Sequence, residues 1–158
     1  MNTSLRAAIE ADAQAVATIL IRTRMEFMPY APAAHSEAEI RVWVRTLLIP
    51  SGGVTVAVQE RAVIGVMATS VADGCSWLSQ MSVSPEQVGR GVGTKLLRHA
   101  LASLPPPVRL YTFQANIRGR RFYERHGFIA IAFTDGQANE ERCPDVLYEH
   151  RASRHTGG

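Results

Sequence analysis

The sequence is poor in cysteine and has no long apolar run. Its two cysteines, Cys75 and Cys143, stand far apart and without C-x-x-C spacing, so there is no sign of a disulfide framework or a zinc site. No run approaches the roughly 18 apolar residues of a membrane helix. The longest near the N-terminus, Ala15–Ile21, follows acidic residues rather than a basic segment. We therefore expect reduced thiols, no metal, no membrane partner and a cytoplasmic location.

An excess of charge of one sign is also lacking. Lys and Arg number 17 against 14 Asp and Glu, which gives a formal net charge of +3, and the pI is about 9.2. The basic residues are scattered, except for a patch at Arg118, Arg120, Arg121 and Arg125. A nucleic-acid-binding protein usually shows a larger basic excess interleaved with exposed aromatics. The balance argues against a nucleic-acid partner and suits a ligand that carries phosphate.

The length of 158 residues is that of one domain, because domains cluster at roughly 100–150 residues. Hydrophobic residues make up 46% of the chain, which is enough to fill a core and excludes intrinsic disorder. Neither an internal repeat nor a linker is visible. We predict one domain over residues 1–152 and a loose tail over residues 153–158.

Hydrophobic periodicity and turn residues predict the order β-α-α-β-β-β-α-β-α-β-β, a mixed α/β sheet covered by helices. The predicted strands are Leu5–Ile9, Val54–Val58, Val63–Val71, Cys75–Val83, Val108–Phe113, Phe128–Phe133 and Asp145–Tyr148. The first predicted helix buries Val16, Ile19, Leu20, Thr23 and Phe27. A capping box at Ser36–Glu39 begins the second helix, whose predicted buried face is Ile40, Trp43, Val44 and Leu47. The remaining helices are Thr94–Leu104 and Asn116–His126.

Three alternate glycines, Gly89, Gly91 and Gly93, lie between a predicted buried strand and a predicted helix. Without Cβ atoms the backbone can turn N–H groups outward, and the helix start adds its own unpaired N–H groups. This arrangement suits a pyrophosphate; a glycine-rich turn without a ligand is the alternative. A Walker loop needs glycine where Val88 stands, and a dinucleotide fingerprint needs glycine or alanine where Thr94 stands.

Two segments together resemble the GNAT superfamily of N-acetyltransferases. Val83–Leu97 is similar to its motif A, Q/R-x-x-G-x-G/A, although Val88 takes the place of the leading Gln or Arg and Gln87 stands one position early. Asn116–Phe128 is similar to its motif B, N-x-x-A-x-x-F-Y-x-x-x-G-F, with Gly119 in place of the usual alanine. The predicted element order is also that of the family. Residues 134–145 are similar to the end of a bacterial, uncharacterised subgroup.

The resemblance implies a mostly antiparallel twisted sheet with helices on both faces, in which the fourth and fifth strands splay apart. It implies an acyltransferase that moves the acetyl group of acetyl-CoA to a primary amine by direct attack on the thioester. Tyr123 is then the general acid that protonates the departing sulfur. Because Val88 replaces the polar residue, backbone amides remain as the main pyrophosphate ligands. The implied coenzyme A-binding residues are Met81, Ser82, Val83, Val88, Gly89, Arg90, Gly91, Val92, Gly93, Thr94, Asn116 and Phe122, the last also packing in the core.

A general base is harder to identify, because Cys75–Val83 contains no carboxylate or histidine. The candidates, acting directly or through a water, are Glu26, His35, His126, Glu140, Glu141 and Asp145. Ser79, Glu140 and Glu141 are the predicted substrate-binding residues. The acidic pair favours a cationic small-molecule acceptor, but the acceptor itself, peptide or small-molecule amine, is left open.

Two other functions remain open from the sequence. One is a coenzyme A binding or sensing module without turnover, which the missing base on the fourth strand favours and Tyr123 opposes. The other is an oligomeric interaction protein that has kept only the fold and has no affinity for coenzyme A. A homodimer is also left open.

Overall fold

The computed structural model describes residues 2–151. The predicted tail 153–158 therefore lies outside the described residues. The strands are β1 Ser4–Ala7, β2 Val54–Gln59, β3 Ala62–Ala72, β4 Cys75–Val83, β5 Val108–Phe113, β6 Ile129–Phe133 and β7 Asp145–His150. The helices are α1 Ala13–Phe27, α2 Glu37–Trp43, α3 Val92–Ser103 and α4 Ile117–Arg125. The predicted order of strands and helices is confirmed.

Local side-chain bonds fix the turn that leads into α1 and the first turn of α2. Arg6 donates two hydrogen bonds to Asp12, at 2.7 and 2.9 Å, and the N–H of Ile9 donates to the same carboxylate at 2.8 Å, which fixes the entry to α1. The predicted capping box of α2 is present. The N–H of Glu39 donates to the Ser36 hydroxyl at 3.1 Å, and the N–H of Ser36 donates to the Glu39 carboxylate at 2.7 Å.

The predicted buried face of α2 is partly wrong. Trp43 and Leu47 are 36% and 62% exposed, whereas Val44 and Leu48 are buried. The helix continues through a π-helical turn over Val44–Leu48, and this wider turn brings residues 44 and 48 onto the face that packs against the sheet.

The seven strands form one sheet in the order β1-β2-β3-β4-β5-β7-β6. All neighbouring pairs are antiparallel except β4 and β5, which are parallel and pair only at Ser76 with Val108 and Trp77 with Arg109. Beyond Trp77 the two strands separate. This confirms the expected mixed sheet with a splay between the fourth and fifth strands.

Helices cover both faces of the sheet, and each face has its own core. On one face α1 and the turn after α2 pack on β2 and β3 through Val16, Ala17, Val44, Val56 and Val66. On the other face α3 and α4 pack on the sheet; its largest fully buried side chains are Met67, Leu96, Leu97, Leu110 and Tyr148. None of the helices described is long and apolar enough to cross a membrane.

Candidate active site

The site forms where β4 leaves β5. Ala68 of β3 pairs with Gln80 and Thr69 pairs with Leu78, so Ser79 is an extra residue that bulges out of β4. The Ser79 hydroxyl donates to the carbonyl of Ala68 at 3.2 Å. Bulges of this kind bend a strand and redirect its side chains. The bulge and the splay together leave the β5-facing edge of β4 after Trp77 without a strand partner among the described residues.

A cavity of about 770 Å³ occupies this opening. Its walls come from the end of β4, the glycine-rich loop, α4 and the C-terminal part of α1. The lining residues are Thr23, Phe27, Met28, Met81, Ser82, Val83, Gln87, Val88, Gly89, Gly91, Gly93, Thr94, Asn116, Ile117, Arg118, Gly119, Arg121, Phe122, Tyr123 and Arg125. The fold thus brings Tyr123 and most of the predicted coenzyme A-binding residues to one place.

Two predicted coenzyme A-binding residues do not line this cavity. Arg90 and Val92 instead line, with Gly91 and Lys95, a smaller cavity of about 300 Å³ on the other side of the glycine-rich loop. The Val92 side chain is buried and packs in the α3 core. Its backbone can still contribute to the loop, whereas its side chain serves the core.

The glycine-rich loop adopts a left-handed backbone conformation at two of its glycines. Gly89 and Gly91 both have φ of 84°, a region that residues with a Cβ rarely adopt. Gly91 is the N-cap of α3, and the first bond of the helix runs from the Lys95 N–H to the Gly91 carbonyl at 3.0 Å. The N–H groups of Val92, Gly93 and Thr94 therefore stand outside the helical ladder, where they can bind an anion.

Asn116 holds the start of α4. Its side-chain oxygen accepts a hydrogen bond from the Gly119 N–H at 3.1 Å, and its side-chain nitrogen donates to the Thr112 hydroxyl at 3.1 Å. A Cβ added to Gly119 would lie 2.3 Å from that nitrogen, so the glycine at this motif B position permits the observed amide orientation. The expected contact of Asn116 with pantetheine stays a prediction.

Tyr123 faces the cavity from the middle of α4. Its ring packs edge-on against Phe122 and Phe128, with centroid distances of 5.3 and 5.7 Å. Burial raises the pKa of the Tyr123 phenol from 10.0 to about 12. The phenol is therefore fully protonated at neutral pH and can act as a proton donor.

The arginines of the basic patch have two different roles in the structure. Arg118, Arg121 and Arg125 line the cavity, and the Arg118 guanidinium lies 5.0 Å from the centre of the Phe27 ring of α1. Arg120 instead donates to the hydroxyl of the buried Tyr148 at 3.0 Å and to the carbonyl of Gln114 at 3.2 Å. Three arginines thus give the cavity wall a positive charge, while the fourth attaches α4 to the sheet.

The contribution of α1 is absent from the sequence prediction. Thr23, Phe27 and Met28 line the cavity, and the Thr23 hydroxyl donates to the carbonyl of Val83 at 3.4 Å. Thr23 and Phe27 were expected only as part of a buried helix face. Their spacing is the same whether that face meets a core or a cavity, so the local sequence carries no signal that separates the two.

The predicted acidic substrate-binding residues lie at a junction of two loops. Glu140 accepts a hydrogen bond from His35 at 2.7 Å, and Glu141 pairs with Arg24 at 3.4 Å. The His35 pair joins the segment between β6 and β7 to the segment that connects α1 with α2, and the Arg24 pair joins it to α1 itself. Glu140, Glu141 and Ser79 are not among the residues that line the cavity, and their contact with an acceptor stays a prediction.

The other candidate bases are also engaged elsewhere or exposed. Asp145 is buried and accepts hydrogen bonds from Asn139, at 3.0 Å, and Thr134. His126 bonds through Nδ1 to the carbonyl of Phe122 at 2.8 Å, and Glu26 is exposed on α1. Among the residues described, none that lines the cavity is Asp, Glu or His.

The profile of the acetyltransferase (GNAT) family matches residues 13–128. No curated protein matches the sequence significantly. Apo YjaB from Escherichia coli superimposes with a TM-score of 0.78 at 22% identity, over 95% of this chain and 98% of that one.

Two further solved structures are similar. Ard1 from Thermoplasma volcanium gives a TM-score of 0.75 at 17% identity, over 96% of this chain and 99% of that one. The PaiA N-acetyltransferase from Thermoplasma acidophilum, solved in complex with coenzyme A, gives a TM-score of 0.67 at 20% identity, over 96% of this chain and 100% of that one. At such identities the structural likeness shows the fold alone.

Proposed function

This chain belongs to the GNAT acetyltransferase family, and from that premise we propose that it moves the acetyl group of acetyl-CoA to a primary amine. The observation that carries the proposal is the cavity at the splay of β4 and β5. It combines the anion-binding N–H groups at the start of α3 with a protonated phenol, Tyr123. The anion-binding N–H groups of α3 and the phenol of Tyr123 on α4 therefore line the same cavity.

The described residues suit coenzyme A in their charge and in their hydrogen-bonding groups. The N–H groups of Gly93 and Thr94 suit the pyrophosphate, and three cavity arginines suit the phosphate charge. The unpaired edge of β4 at Met81–Val83 offers backbone groups to the pantetheine arm, which carries amide groups of its own. A protein of the same fold, PaiA, was solved with coenzyme A bound, which supports this assignment.

The chemistry requires a neutral amine, a held thioester and a proton for the sulfur. The amine nitrogen bonds to the acetyl carbon, the carbon–sulfur bond breaks, and the surplus nitrogen proton passes to solvent. Tyr123 gives its proton to the sulfur and regains one from solvent, so the atoms balance. Because burial raises the pKa of the Tyr123 phenol to about 12, the phenol is in its protonated, donor form at neutral pH when the sulfur departs.

The test measures binding and turnover separately. Calorimetry with coenzyme A reports binding, a thiol reagent reports release of coenzyme A from acetyl-CoA, and mass spectrometry reports the acetylated product. We expect amine-dependent thiol release that matches the amide formed. Absence of both binding and transfer at millimolar acetyl-CoA would refute the proposal and favour an interaction protein that keeps only the fold.

A coenzyme A-binding protein without turnover is the second candidate. It is favoured by the lack of Asp, Glu and His among the described cavity residues. It predicts binding of coenzyme A in the calorimeter but no amide with any amine. The two measurements together therefore separate it from the acetyltransferase.

A further inference from the structure

The strand β6 forms one edge of the sheet and is apolar along its whole length. Its sequence over Ile129–Phe133 is Ile-Ala-Ile-Ala-Phe, without a charged residue or a proline. It stands last in the order of the sheet, so among the described residues no strand pairs with its outer side. Its large side chains, Ile129, Ile131 and Phe133, are 68%, 41% and 59% exposed. β6 therefore presents both unpaired backbone groups and apolar side chains to solvent.

The opposite edge of the sheet is built differently. The strand there, β1, carries the charged and exposed Arg6. Its one large apolar side chain, Leu5, packs against the core of the α3 face. A charged side chain on an edge strand discourages pairing with another chain. Because β6 has no such charge, it is the edge of this sheet that can take a partner strand.

A bulge in β6 limits which strand can pair with it. The register between β6 and β7 shifts between Ala130 and Ala132, which makes Ile131 an extra residue. A bulge twists the edge and so hinders pairing with a regular strand of an unrelated chain. A second copy of β6 has the same bulge and the same twist. The irregularity therefore favours a second copy of this chain over an unrelated strand.

The charges at the two ends of β6 have opposite signs. Asp135 is exposed and follows the end of the strand by two residues. At the other end, Ile129 pairs with Glu149 of β7, and the exposed Arg151 lies two residues further along that chain. Two copies that pair antiparallel about a twofold axis place the beginning of each β6 beside the end of the other. Opposite charges then approach each other, and no like charges meet along the strand.

The rest of the chain does not supply a matching cover for this edge. Residues 152–158, which lie outside the described residues, have the sequence Ala-Ser-Arg-His-Thr-Gly-Gly. This segment contains no apolar side chain larger than alanine. It therefore cannot shield the large side chains of β6 from water, whereas a second β6 brings apolar side chains of the same size.

We propose that β6 is the contact of a symmetric homodimer, in which the β6 strands of two copies pair antiparallel and join the two sheets. The outer N–H and C=O groups of each strand bond to the other copy, and the apolar side chains of the two edges pack together. A five-residue strand gives a small contact, and small interfaces belong to weak complexes. The dimer therefore forms as the protein concentration rises. No residue of β6 lines the cavity, so this proposal is independent of the proposed function.

Sedimentation velocity at protein concentrations up to about 1 mM tests the proposal. We expect the mass to rise from that of one chain toward that of two. Ile131→Lys places like charges against each other in the contact and should raise the Kd of the dimer by about tenfold or more. Val71→Lys is the matched control, because Val71 is a similarly exposed apolar residue of another strand, β3. This control should dimerise like the wild type.

Cross-linking gives a second measurement that does not depend on an added charge. Both native cysteines are buried, so Ile131→Cys supplies an accessible thiol at the edge. With a mild oxidant that takes up the two thiol hydrogens, we expect Ile131→Cys to form a disulfide between two chains. Val71→Cys provides the control for random collision and should stay largely unlinked.

Every other result counts against the proposal. A protein that stays monomeric at all concentrations has no β6 contact. A dimer that persists unchanged in Ile131→Lys, or that Val71→Lys weakens equally, uses another surface. Equal cross-linking of Ile131→Cys and Val71→Cys would likewise overturn the assignment. A protein that dimerises only after residues 152–158 are removed would show that its own tail occupies this edge.

Discussion

Changing Tyr123 to Phe removes the proposed acid with almost no change in volume. The ring keeps its packing on Phe122 and Phe128, and no described residue is a hydrogen-bond partner of the hydroxyl. Folding and coenzyme A affinity should therefore change little. Loss of a general acid lowers kcat by roughly 10²- to 10⁴-fold, which corresponds to about 2.7–5.4 kcal/mol of transition-state free energy.

A matched control comes from the neighbouring Tyr148. Its hydroxyl is fully buried, donates to Glu124 at 2.6 Å and accepts from Arg120 at 3.0 Å. Tyr148→Phe removes the hydrogen bonds to Arg120, which is partly buried, and to Glu124, which is exposed, and should cost about 0.5–1.5 kcal/mol of unfolding free energy. Its kcat should fall far less than that of Tyr123→Phe. The pair separates a chemical role from a packing role within one core.

The pH dependence of folding stability gives a second test of Tyr123. The pKa of Tyr123 is raised from 10.0 to about 12, so the native state favours the neutral phenol. Its contribution to stability is complete below pH 10 and is lost as pH rises toward 12. Tyr123→Phe should lack this alkaline loss in urea unfolding. Wild-type turnover in Tyr123→Phe would refute the acid role and show that the sulfur takes its proton from water.

The remaining predictions concern the glycine-rich loop and the entry to α1. Gly91→Ala, at φ 84°, should cost about 1–2 kcal/mol of unfolding free energy and weaken coenzyme A binding in the calorimeter. Gly74→Ala, at φ 72° in a hairpin outside the cavity, should cost a similar amount and leave binding unchanged; equal loss of binding in both would contradict the loop's role. The Arg6 guanidinium and the Ile9 N–H hold the pKa of Asp12 below its ordinary value. Asp12 therefore stabilises the fold above about pH 4, and this contribution is lost as pH falls through the lowered pKa. Asp12→Asn should flatten the acid limb of stability measured by urea unfolding, and an unchanged limb would contradict the assignment.

Strands and turns were predictable because their signals are local. The bounds of β4 and β5 coincide with the predicted Cys75–Val83 and Val108–Phe113. Asp73-Gly74, a residue pair typical of hairpin turns, has positive φ at both residues, 54° and 72°, as a two-residue hairpin turn requires. The splay of the two strands followed from the GNAT resemblance rather than from any local pattern.

Features that depend on distant partners could not be predicted in this way. Val44 of the expected α2 face is buried, but Trp43 and Leu47 are exposed, and Leu48, at the end of the π-helical turn Val44–Leu48, is buried instead. His35 meets Glu140 across 105 positions of sequence, and Arg24 meets Glu141 across 117. Periodicity within one helix or loop contains no information about such a partner.

The same contrast between local signals and distant contacts holds within the site. It explains why the cofactor side was predicted more completely than the opposite wall. The cofactor half is built from one continuous strand, loop and helix start, Met81–Thr94, whose glycines and helix cap mark it in the sequence. The other wall is assembled from the end of α1 and the arginines of α4, which meet where Arg118 lies over Phe27 at 5.0 Å. Among the described residues, the cavity is lined by arginines and Tyr123 but by no Asp, Glu or His, and this composition becomes visible only when these elements are in contact. The sequence therefore predicts the cofactor side of the site, whereas the make-up of the opposite wall is visible only in the folded structure.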